Sequence, residues 1–383
     1  MEVTKPEQTK GYSKGLEGIV AGETSLSFVD GQNGKLFYEG ISIENLINGG
    51  ATFEEVAYML WFRRLPKKKE LIDFSNELAA NREIRPEIHS LLTSFPKKCH
   101  PMAMLRSAVS CLALYDAEAD DNSPEANLRK SVRLLAELPT LIASFDRIRR
   151  GLTPIIPHRE LSHAANFLYL LTKKPPKEEH AKALDQYLVL LADHGYNAST
   201  FAARVTVSTL SDIYSGVVSA IGTLKGDLHG SANQRAMEMI LEIGDVGKAE
   251  SYLANLFAQK KKIMGFGHRI YKHHDPRAVI FKQIAKRICE GTEFDRLYRI
   301  SERVEEIVQR EKQIPCNVDF YSASVLYAVG IPVDLFTTLF ALSRIAGWTA
   351  HILEQQKDNR LIRPEALYTG SVDQPYVPLE KRT

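Results

Sequence analysis

Cysteine, strand signals and long uncharged runs are all scarce in this chain. Its 383 residues include four cysteines, Cys99, Cys111, Cys289 and Cys316, and no two of them form a C-x-x-C pair or a zinc-knuckle spacing. That argues against a disulfide framework or structural zinc and fits free, mostly buried thiols in a reducing cytoplasm. Met1 to Lys10 is polar and has no apolar core, so no secretory leader is expected there. Net charge is +2 with the signs mixed, and no stretch is basic enough to track a nucleic-acid backbone. One run comes near a membrane span: Leu335 to Leu353 has no carboxylate, but Arg344 sits at its centre. A central arginine is costly in lipid, so a buried helix of a soluble protein accounts better for this run. That leaves a guanidinium to explain.

What is present is ordinary globular material: 44% apolar and 25% charged residues, in a chain long enough for two domains or one large one. The convincing strand signal is confined to residues 24–29 and 35–39 around Asp30-Gly31-Gln32-Asn33-Gly34, a β-hairpin pattern. Beyond it the period turns helical. Thr52-Phe53-Glu54-Glu55 is a capping box with Val56, Met59 and Leu60 on one face, and Pro66 closes that helix. Leu71, Phe74 and Leu78 keep helical spacing in the next helix, and further helices are expected over 103–115, 126–138, 161–171, 181–193, 199–210, 232–243, 278–289, 297–311 and 335–353. The breaks at 151–157 and 175–176 are short enough to be loops within one domain. Charged amphipathic helices dominate from Leu228 to about Ile331, which suggests a helical domain interrupted by a smaller helical insert.

Four constellations could carry chemistry. In Gly226-Asp227-Leu228-His229-Gly230 a histidine precedes a helix start, where the dipole disfavours its protonated form. A neutral imidazole is suited to hold a developing enolate, although a packing or capping histidine has the same local pattern. In Gly265-Phe266-Gly267-His268-Arg269 the glycines lack the strand–helix context of a dinucleotide fingerprint. Asp275-Pro276-Arg277 reads as an N-cap, a first-turn proline and an arginine beside free backbone amides, which together make an anion site. His268, His273, His274 and Asp275 could instead ligate a metal, but their spacing fits no ligand pattern, and no metal is expected. Asp319, in the otherwise uncharged Asn317-Val318-Asp319-Phe320-Tyr321, would have its pKa raised by burial and become a better base, or it could simply cap a helix. Arg344 on its apolar helix needs an anionic partner, either structural or a ligand carboxylate. His194 ends a helix, and Arg363 lies in a loop with no helical role.

These motifs occur in one order: His194 with Asn197-Ala198-Ser199-Thr200, Leu228-His229-Gly230, Gly265 to Arg269 with Asp275-Pro276-Arg277, Asn317-Val318-Asp319, and Arg360-Leu361-Ile362-Arg363-Pro364. In that order and spacing the chain resembles the citrate synthase family, in its short homodimeric bacterial and archaeal form, from about Gly15 to the Val377–Arg382 ending. The resemblance implies an all-α fold with a short N-terminal β-hairpin. It also implies a large domain (1–227 and 332–383) and a small one (228–331), in a cytoplasmic homodimer. By motif, Asp319 would take a proton from the methyl group of acetyl-CoA, His229 would hold the enolate, and His268 would polarise the oxaloacetate carbonyl. His194, Arg277 and Arg344 would bind oxaloacetate, with Arg363 reaching across from the other subunit. Lys261, Lys262, Ile263, Met264 and Gly265 would contact coenzyme A, a cosubstrate and not a resident cofactor.

The chemistry asks for these residue types. A thioester α-proton is poorly acidic, so its removal requires simultaneous stabilisation of the enolate, and arginine forks suit two carboxylates better than lysines do. The chain departs from the common family pattern at Asp227 (usually proline), Ser231 (often glycine), Gln234 (often glutamate) and Gly195-Tyr196 (often a glutamate after the histidine). Using the same machinery, 2-methylcitrate synthase with propionyl-CoA is the near alternative. A metal-dependent hydrolase, silenced by a chelator, and a non-catalytic helical scaffold, releasing no thiol, are the alternatives from other classes.

Overall fold

The computed structural model describes residues 12–383; the polar stretch Met1 to Lys10 lies outside them. Two compact units emerge. One is Thr24–Leu361 and contains every α-helix and strand among the described residues. The other joins the segment up to Glu23 to Ile362–Thr383, with single 3-10 turns at Lys14–Leu16 and Leu379–Lys381. In it Arg382 Nε donates to the Val377 carbonyl (2.9 Å), and Arg363 is exposed.

The fold is all-α apart from one small antiparallel sheet, β1 (Ser27–Asp30), β2 (Lys35–Tyr38) and β3 (Ile41–Ser42), in that order. Ser27 lies opposite Tyr38 and Asp30 opposite Lys35, so the Asp30–Gly34 cluster forms the turn as expected. The helices follow: α1 (Ile43–Asn48), α2 (Phe53–Phe62), α3 (Lys68–Ala80), α4 (Pro86–Ser94) and α5 (Pro101–Leu112). Then come α6 (Pro124–Arg149), α7 (His163–Thr172), α8 (Glu178–Leu191), α9 (Ala198–Ser208), α10 (Ile213–Leu224) and α11 (Ala232–Ile243). The last are α12 (Ala249–Ala258), α13 (Pro276–Cys289), α14 (Asp295–Lys312), α15 (Val318–Ala328) and α16 (Phe336–Lys357).

α16 is the structural axis. Nearly all of it from Phe336 to Ile352 is buried, and it packs on α2, α6, α8, α9 and α10. Each large apolar side chain it buries, such as Trp348 or Leu339, contributes about 1.5–3 kcal/mol relative to exposure. Among the described residues no helix is long and apolar enough to cross a membrane. α13 and α11 pack on α15, and α12 packs on α14.

Several boundaries moved. The Thr52 capping box is formed, with Glu55 Nα–H donating to Thr52 Oγ1 and Thr52 Nα–H to Glu55 Oε2. That helix stops at Phe62, four positions short of Pro66, because Arg63 adopts the left-handed conformation (φ 64°). The helix expected to end at Leu138 runs on through Pro139 to Arg149. An interior proline costs roughly 3 kcal/mol in isolation; here both sides of it, Leu134 to Leu138 and Thr140 to Asp146, lose most of their surface to packing, which offsets the missing bond. α1, α4, α10 and α12 were not expected at all.

Candidate functional site

The loop between α12 and α13 carries the Gly-x-Gly pair. Gly265 has φ 84°, and a Cβ there would come within 2.8 Å of Phe320 Cβ, so the loop can lie against α15 only with glycine at that position. Gly267 N–H donates to Pro315 O (2.8 Å), Asn317 N–H to Gly265 O (2.9 Å) and Asn317 Nδ2 to Gly267 O (2.8 Å). Two segments some fifty residues apart are thereby laced together, the one bearing His268 and the other Asp319. Asp275 completes the lacing. It caps α13 by accepting Arg277 N–H (3.0 Å), grips the Arg277 guanidinium through Nε and Nη2 (3.0 and 2.8 Å), and accepts Val318 N–H at the start of α15 (3.0 Å). The anion at that helix start is therefore the chain's own carboxylate.

His268, His194 and Tyr271 meet. The His194 and His268 rings are edge-on with centroids 5.4 Å apart, and His194 Nε2 is 3.1 Å from the Tyr271 hydroxyl. His268 Nδ1 accepts two backbone N–H groups, from Ile270 (3.1 Å) and Tyr271 (3.2 Å). Those bonds leave the ring proton on Nε2. Burial, reinforced by Arg277, pulls the His268 pKa down to about 4. Burial also holds His194 well below its ordinary value, with Arg277, His268 and Arg344 adding to the effect. Both rings are neutral hydrogen-bonding groups near pH 7.

His229 lies in the turn before α11, and burial, then Arg344, lowers its pKa to about 4. Its Nε2 is 2.9 Å from Ser199 Oγ, which also accepts from Trp348 Nε1 (3.1 Å). Ser199 sits in the first turn of α9, whose cap Asn197 accepts the Ser199 and Thr200 backbone amides (both 3.1 Å). The Asn-x-Ser-Thr cluster thus starts a helix and also orients a histidine thirty residues downstream.

Asp319 stands in the first turn of α15, its N–H held by the Asn317 cap (3.0 Å). Only 8% of it is exposed, and its Oδ1 is buried with no hydrogen-bond partner. Burial raises its pKa to about 7, against the lowering pull of Arg277 and Arg344. Arg344, 1% exposed, donates through Nε to Leu191 O (2.6 Å) and lies 4.9 Å over the Phe340 ring. Among the described residues no carboxylate lies within 4 Å of it, and burial lowers its pKa only to about 10, so it stays cationic. Of the two partners open from sequence, an ion pair within the protein is not formed among the described residues.

Lys261 and Lys262 are exposed, Ile263 and Met264 are half-buried, and Gly265 is buried. Among the described residues no group of three or more His, Cys, Asp or Glu converges as a metal site, and His273 and His274 lie at the surface. The departures from the family pattern have partners of their own. Asp227 pairs with Arg235 (2.7 Å), Ser231 Oγ donates to Lys225 O (3.1 Å), Gln234 donates to Glu238 (2.9 Å), and the Tyr196 ring carries the Arg204 guanidinium 4.0 Å above it. Sequence reading missed Ser199, Trp348 and Tyr271 as site residues. The Asn-Ser-Thr run and Tyr271's place three residues after His268 were the available signals.

Comparison with known proteins agrees with this architecture. The family model "Citrate synthase, C-terminal domain" matches residues 15–365. Citrate synthase 2 of Bacillus subtilis is 50% identical, covering 97% of this chain and 99% of its own length. A 2-methylcitrate synthase of Mycobacterium tuberculosis is 43% identical, covering 93% of this chain and 90% of its own. A solved ternary complex of citrate synthase from the archaeon Thermoplasma acidophilum, with carboxymethyl coenzyme A and oxaloacetate, superposes with a TM-score of 0.92 at 34% identity, covering 98% of this chain and 100% of that one. With a family match over most of its length and relatives this similar, the chain belongs to the citrate synthase family.

Proposed function

We propose that this enzyme is a citrate synthase, condensing acetyl-CoA with oxaloacetate and hydrolysing citryl-CoA to citrate and coenzyme A. One observation carries the reading. Two buried guanidiniums, Arg277 and Arg344, act electrostatically on the same buried carboxylate, Asp319, while Arg277 also acts on His268 and His194 and Arg344 on His229 and His194. Groups from five stretches of chain thus share one field, with a base near neutrality, neutral imidazoles and a buried cation lacking a carboxylate.

In the proposed mechanism, oxaloacetate carboxylates pair with Arg344, Arg277 and His194, while His268 Nε2–H donates to the carbonyl under attack. Asp319 removes the methyl proton of acetyl-CoA. The Ser199 hydroxyl, held to Asn197 Oδ1 (2.7 Å), fixes the His229 ring through Nε2 (2.9 Å), and His229 stabilises the enolate oxygen by a hydrogen bond. Lys261 to Gly265 contact coenzyme A, which is a cosubstrate and not a resident cofactor. We further propose a homodimer in which Arg363 of one subunit completes the other's site. The larger domain would comprise 1–227 with 332–383 and the smaller 228–331, closing to exclude water, in the cytoplasm.

Thiol release from acetyl-CoA that requires oxaloacetate tests the reading, and release without oxaloacetate, or none at all, would overturn it. Replacing acetyl-CoA by propionyl-CoA is expected to lower kcat/KM by about tenfold or more, since one methylene is worth roughly 1–3 kcal/mol of discrimination. A preference for propionyl-CoA would move the assignment to 2-methylcitrate synthase, the activity named for the mycobacterial relative.

The pH profile has a definite sign. A base must be ionised to act, and Asp319 is pushed up to about 7, so kcat/KM should fall as pH drops through about 7 and level off above it. His229 and His268, both at about 4, should add no inflection between pH 5 and 8. An acid limb centred near the ordinary carboxylate range would contradict a buried Asp319 as base.

A further inference from the structure

The two histidine-bearing segments that meet at Tyr271 are both held by the small β-hairpin, which none of the chemistry uses. At the hairpin's base, Ser27 Oγ donates to Asp193 Oδ2 (2.5 Å) and accepts Gly195 N–H (2.9 Å), gripping His194 from both sides. Tyr38, opposite Ser27 in the ladder, donates its hydroxyl to Leu190 O and Asp193 O (both 3.1 Å). His351 of α16 meets the same Asp193 oxygen, Oδ2, through its Nε2 (3.0 Å). At the hairpin's tip, Lys272 N–H donates to Gly31 O (3.1 Å), and the loop leading from His268 lies on the turn.

The contact at the tip leaves no room for a side chain. A Cβ on Gly31 would stand 2.5 Å from Ile270 O and 2.7 Å from Ile270 Cγ2, and one on Gly34 would stand 2.5 Å from the His274 ring. Gly31 does not have a left-handed backbone, so the close approach of the loop is the only demand for glycine there. The Asp30 carboxylate stiffens the turn by accepting Gln32 N–H (3.2 Å), Asn33 N–H (3.0 Å) and Asn33 Nδ2 (2.7 Å).

We infer that the β1–β2 hairpin is a positioning element for the condensation: its base fixes His194, its tip fixes the His268–Tyr271 loop, and its length sets the spacing between the two. The inference rests on the proposed function. It makes Ser27, Gly31 and Tyr38 positioning residues, remote from the bond being formed, that act on the grip on oxaloacetate. A displacement of about 1 Å at such a site costs up to about a hundredfold in rate.

The test is Gly31→Ala in the full-length protein, read by steady-state kinetics and by amide hydrogen exchange of peptides covering 193–196 and 268–274. KM for oxaloacetate should rise about tenfold or more, with KM for acetyl-CoA little changed, and exchange in 268–274 should accelerate. Ser27→Ala should do the same through 193–196, and it carries the test alone if Gly31→Ala does not fold. Gly40→Ala supplies the contrast: it strains a positive φ in the β2–β3 turn, but its Cβ would meet nothing within 4 Å. It should lower stability and leave the oxaloacetate KM alone. Equal effects of Gly40→Ala and Gly31→Ala on KM would reduce the hairpin to general scaffolding and overturn the inference. So would faster exchange with an unchanged KM, or neither change. A wild-type chain releasing no thiol would instead overturn the function, and this inference with it.

Discussion

Asp319→Asn is expected to lower kcat for thiol release by about a thousandfold, within the range that a positioned general base contributes. The substitution keeps the shape and the Asn317 cap on the backbone amide, and removes the one group able to take the methyl proton. Because the lost interaction exists only in the transition state, kcat and kcat/KM should fall together while oxaloacetate still binds. Stability should move the other way. A carboxyl whose folded pKa is raised destabilises the fold progressively as pH rises from the ordinary carboxylate range to about 7, since the unfolded chain gives up its proton first. The amide carries no such penalty, so the variant's Tm at neutral pH should equal or exceed that of the wild type. A variant within tenfold of wild-type kcat would remove Asp319 from the mechanism.

Arg344→Gln is the second large effect. Truncating one side of a desolvated charge pair costs about 2–5 kcal/mol, so oxaloacetate affinity measured by calorimetry should fall between about thirtyfold and several thousandfold. Acetyl-CoA binding should be largely spared. The free protein should lose little stability, because among the described residues no carboxylate lies within 4 Å of the buried wild-type guanidinium, and its removal breaks only the bond to Leu191 O and the contact with the Phe340 ring. Arg344 also pulls the Asp319 pKa down, so the acid limb of the variant's rate profile should shift to higher pH. Unaltered oxaloacetate affinity would mean that this cation serves packing alone.

Legibility in the sequence followed the range of the interactions. Elements specified by near neighbours were readable: the hairpin around Asp30–Gly34, the Thr52 capping box, the Asp275-Pro276 helix start, and α11 to the residue. Elements decided by distant packing were not. α6 crosses Pro139 because the interior surrounds it, and α10 contains Gly216 and Gly222 yet lies buried against α5 and α9. The candidate site divides in the same way. His229, His268, Asp319 and Arg344 stand out because each is an odd residue in its context, a histidine between glycines or a charge among apolar neighbours. Ser199, Trp348 and Tyr271 look ordinary in sequence and acquire their contacts only across thirty to a hundred and fifty residues. Arg344 needed coordinates for another reason: that no carboxylate lies within 4 Å of it among the described residues cannot be read from its sequence context.

The hairpin's grip has a consequence for how the protein is made. Ser27 must find Asp193, 166 residues further along, and Gly31 must find Lys272, so both strands leave the ribosome long before either of the segments they will hold. Contacts this distant in sequence close slowly, because the intervening chain must first be ordered. The hairpin is therefore synthesised well before the segments it docks against, and the contacts that space the two histidines can close only once Lys272 has been made.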